Sequence, residues 1–517
     1  MTKILATTIV GLLMTSLFLS SSGWAIADDT TTPIKHVVVI FQENEAYDHY
    51  FGTYPNALNP PNEPVFTPLP NTPHDNGYTT ALLTHNPNLY NPFRLDRSQE
   101  ILCDEDNDYT AEQIAYDGGK ADKFVQETGV GEIDHGVINC AVGTNGNQTM
   151  GYYDGNTITG LWNMAQHYAL SDNNYGTEFG ATLLGHINLI TGDTSGFSED
   201  AVGGASLLDN IDSALDDCGS APITFSPTKN LGDSLNDKNV TWGWFSGGFK
   251  PSTPWSPGHP AVCKTKTART ATDNATETAY GAHYDPFMYY NSTANPHHLP
   301  PSSISEIGYN GQANHQYDLS YFWIAVDNNN LPAVTFLKAP KTETGHPNDS
   351  SALDEQEFLA NVTNTIAESP YWSSTAIFIT WDDSDGWYDH QMGPIVNHSD
   401  DPINDYGPTC GGHPDLGFEP DRCGHGPRIP LLVISPYAKA NYISHNLSDQ
   451  TSIMKFILDN WHLDFDDKKS FVNVAGSLDG MFDFGNHGSN PAICIDPKTG
   501  EVDPLSSCPN IDLSDYH

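Results

Sequence analysis

The stretch Ile34-Lys35-His36-Val37-Val38-Val39-Ile40-Phe41, followed at once by Gln42-Glu43-Asn44-Glu45, decides the fold. It is a short apolar, β-branched run that breaks off in polar, acidic residues. Such a run reads as a central strand of a mostly parallel sheet, buried on both faces. A second run of this kind, Thr375-Ala376-Ile377-Phe378-Ile379-Thr380-Trp381, ends in Asp382-Asp383. In open α/β folds the carboxyl-terminal edge of the sheet is where ligands bind. Four oxygen-bearing side chains at that edge suit a hard or borderline cation.

The rest of the chain has room for one large α/β domain with insertions or for two domains. At 517 residues and 38% hydrophobic content it can bury a sizeable core. Lys3, the apolar stretch Ile4 to Leu19 and Ala25-Ile26-Ala27 match a cleavable secretory signal over residues 1–27. This predicts a secreted or periplasmic protein, with a catalytic domain over 28–476 and a turn-rich tail over 477–517. In an exported chain the eight cysteines favour disulfides. Proximity pairs Cys103 with Cys140, Cys218 with Cys263, Cys410 with Cys423 and Cys494 with Cys508. No Cys-x-x-Cys pair supports a zinc-cysteine site. A formal charge of −44 with only 21 Lys plus Arg argues against nucleic acid as a partner, and against lasting adhesion to strongly anionic membranes.

Between the strands, Thr53 to Pro92 is Pro/Asn/Thr-rich and Gly247 to Pro301 is Gly/Pro/Thr-rich, so both read as irregular insertions, the second as a cap. Gly160 to Gln166, Thr182 to Thr191 and Leu447 to Trp461 read as helices. Leu331 to Leu337 and Ile429 to Ser435 read as further buried strands. Arg428, between Gly-Pro and a strand, reads as an ion-pair partner, His297-His298 as an exposed loop pair, and His49, His186, His315 and His425 mostly as structural donors.

A site built from carboxylates lacks a nucleophile, and Thr182 is the candidate. It lies in Phe179-Gly180-Ala181-Thr182-Leu183-Leu184-Gly185-His186, with glycines on both sides and a helix following. Backbone N–H groups at that helix start are suited to phosphate oxygens. A free threonine hydroxyl is a poor nucleophile near neutral pH, and a divalent cation is one way to activate it. Taken alone, the same spacing is that of an ordinary helix cap.

Ordered motifs add a resemblance. Gln42-Glu43-Asn44-Glu45-Ala46-Tyr47-Asp48-His49-Tyr50-Phe51-Gly52-Thr53, Met150 to Thr157, Ser171 to Gly176, the Thr182 segment, Trp381 to His390 and Gly426 to Leu431 occur in that order. Together they resemble the bacterial phosphoesterase family that contains the haemolytic and non-haemolytic phospholipases C and the Francisella-type acid phosphatase. The resemblance runs from about His36 to Trp461. It implies an alkaline-phosphatase-like α/β fold with one divalent metal held by Glu43, Asn44, Asp382, Asp383 and the Thr182 hydroxyl. The metal it implies is zinc, with calcium, magnesium and manganese left open by all-oxygen ligation. It further implies active-site histidines at His283 and His346.

The chain departs from the family in three places. Gly-Ala-Thr-Leu-Leu-Gly stands where many members have Gly-Pro-Ser-Thr-Pro-Gly, His283-Tyr284 where the family commonly has His-His, and Asn107 where it has His. Tyr284 and Asn107 are then substrate-binding candidates that donate hydrogen bonds but carry no proton near neutral pH. The resemblance points to a phospholipase C cleaving the glycerol-side ester of phosphatidylcholine and making transient contact with a membrane surface. A broad acid phosphatase for soluble monoesters, or a non-catalytic cation-binding protein, remains the alternative.

Overall fold

The computed structural model describes residues 29–509 apart from 130–145, 196–207, 209, 220–228, 400, 414–415 and 417–419. The expected signal segment, Cys140 with its pairing to Cys103, and the last residues of the tail lie outside the described residues.

Eight strands form the central sheet: β1 (His36–Gln42), β2 (Ala169–Ser171), β3 (Trp242–Ser246), β4 (Gln316–Asp318), β5 (Val334–Lys338), β6 (Thr375–Trp381), β7 (Leu431–Ile434) and β8 (Tyr442–Ser444). Their spatial order is β8-β2-β7-β6-β1-β5-β3-β4. Every pairing is parallel except the two made by β7, so one strand runs against the rest. Helices α1 (Thr159–His167), α2 (Thr182–Ile190), α3 (Ala352–Glu368) and α4 (Gln450–Asn460) accompany the sheet. This is the mostly parallel α/β architecture expected from the two apolar runs.

Burial explains those runs. All seven residues of β1 and all seven of β6 are buried, so neither strand has a solvent face that would select alternating polar residues. Each fully buried aliphatic side chain there contributes about 1.5–3 kcal/mol relative to leaving it in water. Register then positions the site. Gln42 lies opposite Trp381, so Glu43 and Asp382 leave neighbouring strands at the same level. On the other side Ile40 lies opposite Leu337, which brings Lys338 to the same edge.

Several boundaries differ from the expected ones for local reasons. β5 starts at Val334, two residues after Pro332, which has no N–H for the ladder, and it extends through Lys338. β7 is shorter than Ile429 to Ser435, beginning just after Pro430. α4 starts at Gln450 because Asp449 is its cap, accepting the Thr451 amide, while Ser448–Asp449 pairs as a short strand with Asn174–Tyr175. The Thr53 to Pro92 stretch is irregular apart from the five-residue helix Thr80–Thr84. The Gly247 to Pro301 stretch contains a hairpin, Lys266–Ala268 against Thr276–Thr278, and the turns that carry His283 and Tyr284. Three disulfides pair as expected, Cys218 with Cys263, Cys410 with Cys423 and Cys494 with Cys508. The tail is also tied to α3, where Asn364 exchanges two hydrogen bonds with Ile495.

Candidate active site

Thr182 is the first residue of α2, and Ala181 ahead of it offers no side-chain cap. The Thr182 hydroxyl is 3.4 Å from Glu43 Oε2. Both residues are buried. The Leu183 amide, one of the free donors expected at this helix start, is taken by Asn210 Oδ1 at 2.8 Å. One turn on, Gly185 sits against the Asp382 carbonyl so closely that a Cβ would come within 2.3 Å of that oxygen. Helix α2 is thus docked directly on the strand end that carries the two aspartates.

Those aspartates and Asn44 are wired together through the backbone. Asp382 Oδ1 accepts the amides of Asn44 at 3.0 Å and Asp383 at 2.9 Å. Asp383 Oδ1 accepts Asn107 Nδ2 at 3.1 Å and the Asp385 amide at 2.8 Å. Asn44 Nδ2 donates to Asp385 Oδ1 at 2.9 Å. Asn44 and Asp385 both adopt left-handed backbone conformations, with φ of 63° and 56°. Asn and Asp tolerate that region better than other non-glycine residues, and such conformations gather at functional sites. Glu112 links the two segments from beneath, accepting Ser384 Oγ at 2.6 Å and the Gly180 amide at 2.9 Å.

The acids outnumber their cations. Lys338, wholly buried, forms an ion pair with Glu43. Even so, burial and then Asp382 push the Glu43 carboxyl up to about 8, against the pull of Lys338 and His346. Burial followed by Asp382 drives Asp383 well above the ordinary carboxylate range, and burial followed by Asp104 does the same to Asp385. Asn44 Oδ1, Asp382 Oδ2 and Asp383 Oδ2 are buried oxygens without a hydrogen-bond partner. Buried unpaired acceptors are costly, and a set of them beside unneutralised carboxylates fits an oxygen-coordinated divalent cation.

His186 belongs to the same group, although sequence reasoning counted it among the structural histidines. Its Nδ1 lies 2.8 Å from the Thr182 carbonyl, which can only accept, so that nitrogen carries the proton. Burial, helped by Lys338, lowers its pKa well below the ordinary value, which leaves a neutral ring. The remaining lone pair on Nε2 has no partner and lies 3.8 Å from Glu43 Oε1. Glu43, His186 and Asp382 each offer one ligand atom, all within 4.8 Å of one another. The spacing of Thr182 and His186, one helical turn apart, was the available signal.

The other predicted residues surround this centre at different depths. The Tyr284 ring stacks on His186 at 5.8 Å, with Lys338 Nζ 4.6 Å and Lys341 Nζ 5.3 Å from its centroid. His346 shares a compact group with Asp104 and Asp385. Burial lowers its pKa, but Asp104, Asp349 and Glu43 outweigh that and hold it above its ordinary value. His283 is farther out and partly exposed, 3.5 Å from Asp212. Lys338, Asp104 and Asp385, like His186, are residues that sequence reasoning left out of the site.

Remaining expectations separate cleanly. Arg428 is a buried ion-pair partner of Asp48 and Asp389. His298 is a correction: it is buried, not exposed, stacked on Phe249 and paired with Asp216 at 2.7 Å. His315 is held by the Trp242 carbonyl and Asn310, and His425 by Asp449.

Comparison with known proteins identifies the family of this chain. Non-hemolytic phospholipase C of Pseudomonas aeruginosa is 22% identical over 488 residues, covering 91% of this chain and 60% of its own length. Phospholipase C A of Mycobacterium tuberculosis is 22% identical over 497 residues, covering 93% and 84%. The chain therefore spans less than two thirds of the Pseudomonas relative. Among solved structures, a Vibrio parahaemolyticus protein of the alkaline phosphatase superfamily aligns over 58% of this chain and 59% of its own, at 10% identity and a TM-score of 0.28. A model of the phosphoesterase family matches residues 34–464, which is most of the chain, and the chain belongs to that family.

Proposed function

We propose that this phosphoesterase is an exported, metal-dependent phospholipase C that cleaves the glycerol-side phosphate ester of phospholipids such as phosphatidylcholine, through a phosphoryl-Thr182 intermediate. The observation that carries the reading is the Thr182 hydroxyl 3.4 Å from Glu43 in a buried, acid-rich centre with unpartnered oxygens. Glu43, Asn44, Asp382 and Asp383, with Thr182 and the free Nε2 of His186, would hold one divalent ion. Zinc is the preferred ion, the His186 nitrogen adding to its suitability, with calcium, magnesium or manganese as alternatives. A bound divalent ion supplies Lewis acidity, which lowers the cost of negative charge on the hydroxyl and phosphoryl oxygens.

The chain's own residues account for the remaining steps. Thr182 Oγ attacks phosphorus, its proton passing toward Glu43, and the bond from phosphorus to the diacylglycerol oxygen breaks. His346, or His283 from the rim, delivers a proton to that oxygen. Tyr284 and Asn107 would hold substrate oxygens by hydrogen bonds. Water then attacks the phosphothreonine, releasing the phosphorylated head group and restoring the hydroxyl.

A second reading, hydrolysis of soluble phosphomonoesters, is favoured by one feature. Lys338 and Lys341 both stand against Tyr284, which adds positive charge suited to a monoester dianion. The deciding experiment strips metal from wild type and Thr182→Ala, restores single ions, and compares phosphatidylcholine with a small aryl phosphate. Restoration of wild type by one ion, with the variant inert on both substrates, supports the mechanism. Equal activity of the two proteins overturns it, and the preferred ester separates the two readings.

A further inference from the structure

Asn210 closes one hydrogen-bond donor at the start of α2 and offers another in its place. Its Oδ1 accepts the Leu183 amide at 2.8 Å. A backbone N–H can only donate, so this bond fixes which way the carboxamide faces, with oxygen toward the helix and Nδ2 turned from that N–H. Both atoms share one carbon, which keeps the NH2 group beside the residue that follows Thr182. Asn210 is half-buried, and its Nδ2 has no hydrogen-bond partner among the described residues.

The residues after Asn210 are held from the other side. Tyr289 Oη donates to the Ile211 carbonyl at 2.6 Å, Ser213 Oγ donates to the Met288 carbonyl at 2.6 Å, and Asp212 lies 3.5 Å from His283. Ile211, Ser213 and Tyr289 are buried. The turns Ala282–Tyr284 and Pro286–Tyr289 are those that bring Tyr284 onto His186, one turn after Thr182 in α2. Asn210 is therefore fixed by its side chain to the helix start and through its neighbours to the rim. Its backbone is left-handed, with φ of 50°. Such conformations persist where surrounding contacts impose them, and they collect at functional sites.

Charge indicates what the open donors suit. A phosphate ester is anionic, and the acids around Thr182 outnumber their cations, with Lys338 committed to Glu43. Asn107, the other carboxamide named at the rim, already gives an Nδ2 hydrogen to Asp383 Oδ1 at 3.1 Å. Asn210 has both hydrogens free and stands at the positive end of a helix. Accepting the Leu183 N–H polarises the carboxamide and makes Nδ2 a stronger donor. A neutral donor fixed before substrate arrives stabilises negative charge on phosphoryl oxygens without having to reorganise.

We infer that Asn210 is a further catalytic residue, whose Nδ2 donates to a non-bridging phosphoryl oxygen of the substrate while its Oδ1 stays on the Leu183 amide. The inference deepens the proposed function and rests on Thr182 as the attacking residue.

Two substitutions, Asn210→Ala and Asn210→Asp, separate this role from helix capping. Aspartate accepts the Leu183 amide as well as asparagine does but offers no hydrogen, whereas alanine removes the hydrogens without adding charge. Loss in Asn210→Ala alone would fit a lost cap, and loss in Asn210→Asp alone would fit repulsion of an anion. The donor role requires both to fall. Compared per mole of folded protein, each variant should lower kcat/KM for a small aryl phosphate at least about 10²-fold. Each should also bind inorganic phosphate at least about tenfold more weakly, by calorimetry on the full chain as purified. Either variant within about threefold of wild type in either readout overturns the inference, as does a wild type that binds no phosphate. Because phosphate binding is read without turnover, weakened binding by both variants alongside a Thr182→Ala protein as active as wild type would sink the Thr182 mechanism and leave Asn210 as a phosphoryl-oxygen donor.

Discussion

Two buried acid clusters lie close together in this molecule, and they resolve the same physical problem in opposite ways. Around Arg428, the carboxylates of Asp48 and Asp389 receive guanidinium hydrogen bonds at 2.8 to 3.1 Å, and His390 closes on Asp48 from the other side. The remaining Arg428 nitrogen donates to the carbonyls of Asn76 and Asp172, and the group lies over Tyr47. At the Thr182 centre Lys338 pairs with Glu43, while oxygens of Asn44, Asp382 and Asp383 stay unpaired. A buried charge is tolerable when it is paired and hydrogen-bonded. The first cluster is complete with its own cations, so it reads as structure. The second is not, and its unpaired oxygens are the kind that an added cation would satisfy.

Substitutions that erase one cluster and spare the other break the comparison most sharply. Thr182→Ala should lower phosphate-ester turnover at least about 10³-fold, as loss of a nucleophile does, with little change in thermal stability. A variant within tenfold of wild type in steady-state assays would remove Thr182 from its role. Arg428→Ala should act the other way, leaving buried Asp48 and Asp389 uncompensated and destabilising the fold by about 3–5 kcal/mol in denaturant titration. A loss under about 1 kcal/mol would mean that water reaches the cluster.

Smaller effects refine the contrast. Asp385→Asn keeps the shape but weakens the acceptor that holds the Asn44 side chain, so metal affinity should fall about 10- to 100-fold by competition with a chelator. Unchanged affinity would show that Asn44 is positioned by its backbone alone. The smallest effect concerns His390, whose imidazole is lowered by burial but raised overall by Asp48. A folded-state pKa above the unfolded value of 6.5 gives stability that is fully present below that value and lost as pH rises through the folded one. The stability gap between wild type and His390→Asn should therefore be widest near pH 5.5 and close on the alkaline side. A gap that widens with pH would contradict the pairing.

How much of this was legible in the sequence follows from which interactions are local. The buried runs before Glu43 and Asp382 announce themselves because a strand covered on both faces must be apolar throughout, and the first polar residue after it marks the sheet edge. Lys338 obeys the same rule at the end of β5, yet the apolar run was read as ending at Leu337, one residue too early. Asp104 and Asp385 enter through loops whose course depends on tertiary contacts, and no periodicity points to them. His186 was visible one turn from Thr182, but a histidine inside an apolar helix carries the same pattern whether it fills space or binds a ligand.

Gly185 sets a limit on how this centre can change. The helix bearing Thr182, the proposed nucleophile, meets the aspartate strand with main chain touching main chain, and a methyl group there would approach the Asp382 carbonyl to 2.3 Å. The gap between hydroxyl and acids is consequently a property of two backbones rather than of side chains that could be exchanged. Drift in sequence can retune the side chains around the centre and the outer loops. The spacing between helix and strand behaves as a rigid gauge, and any residue larger than glycine would force it open.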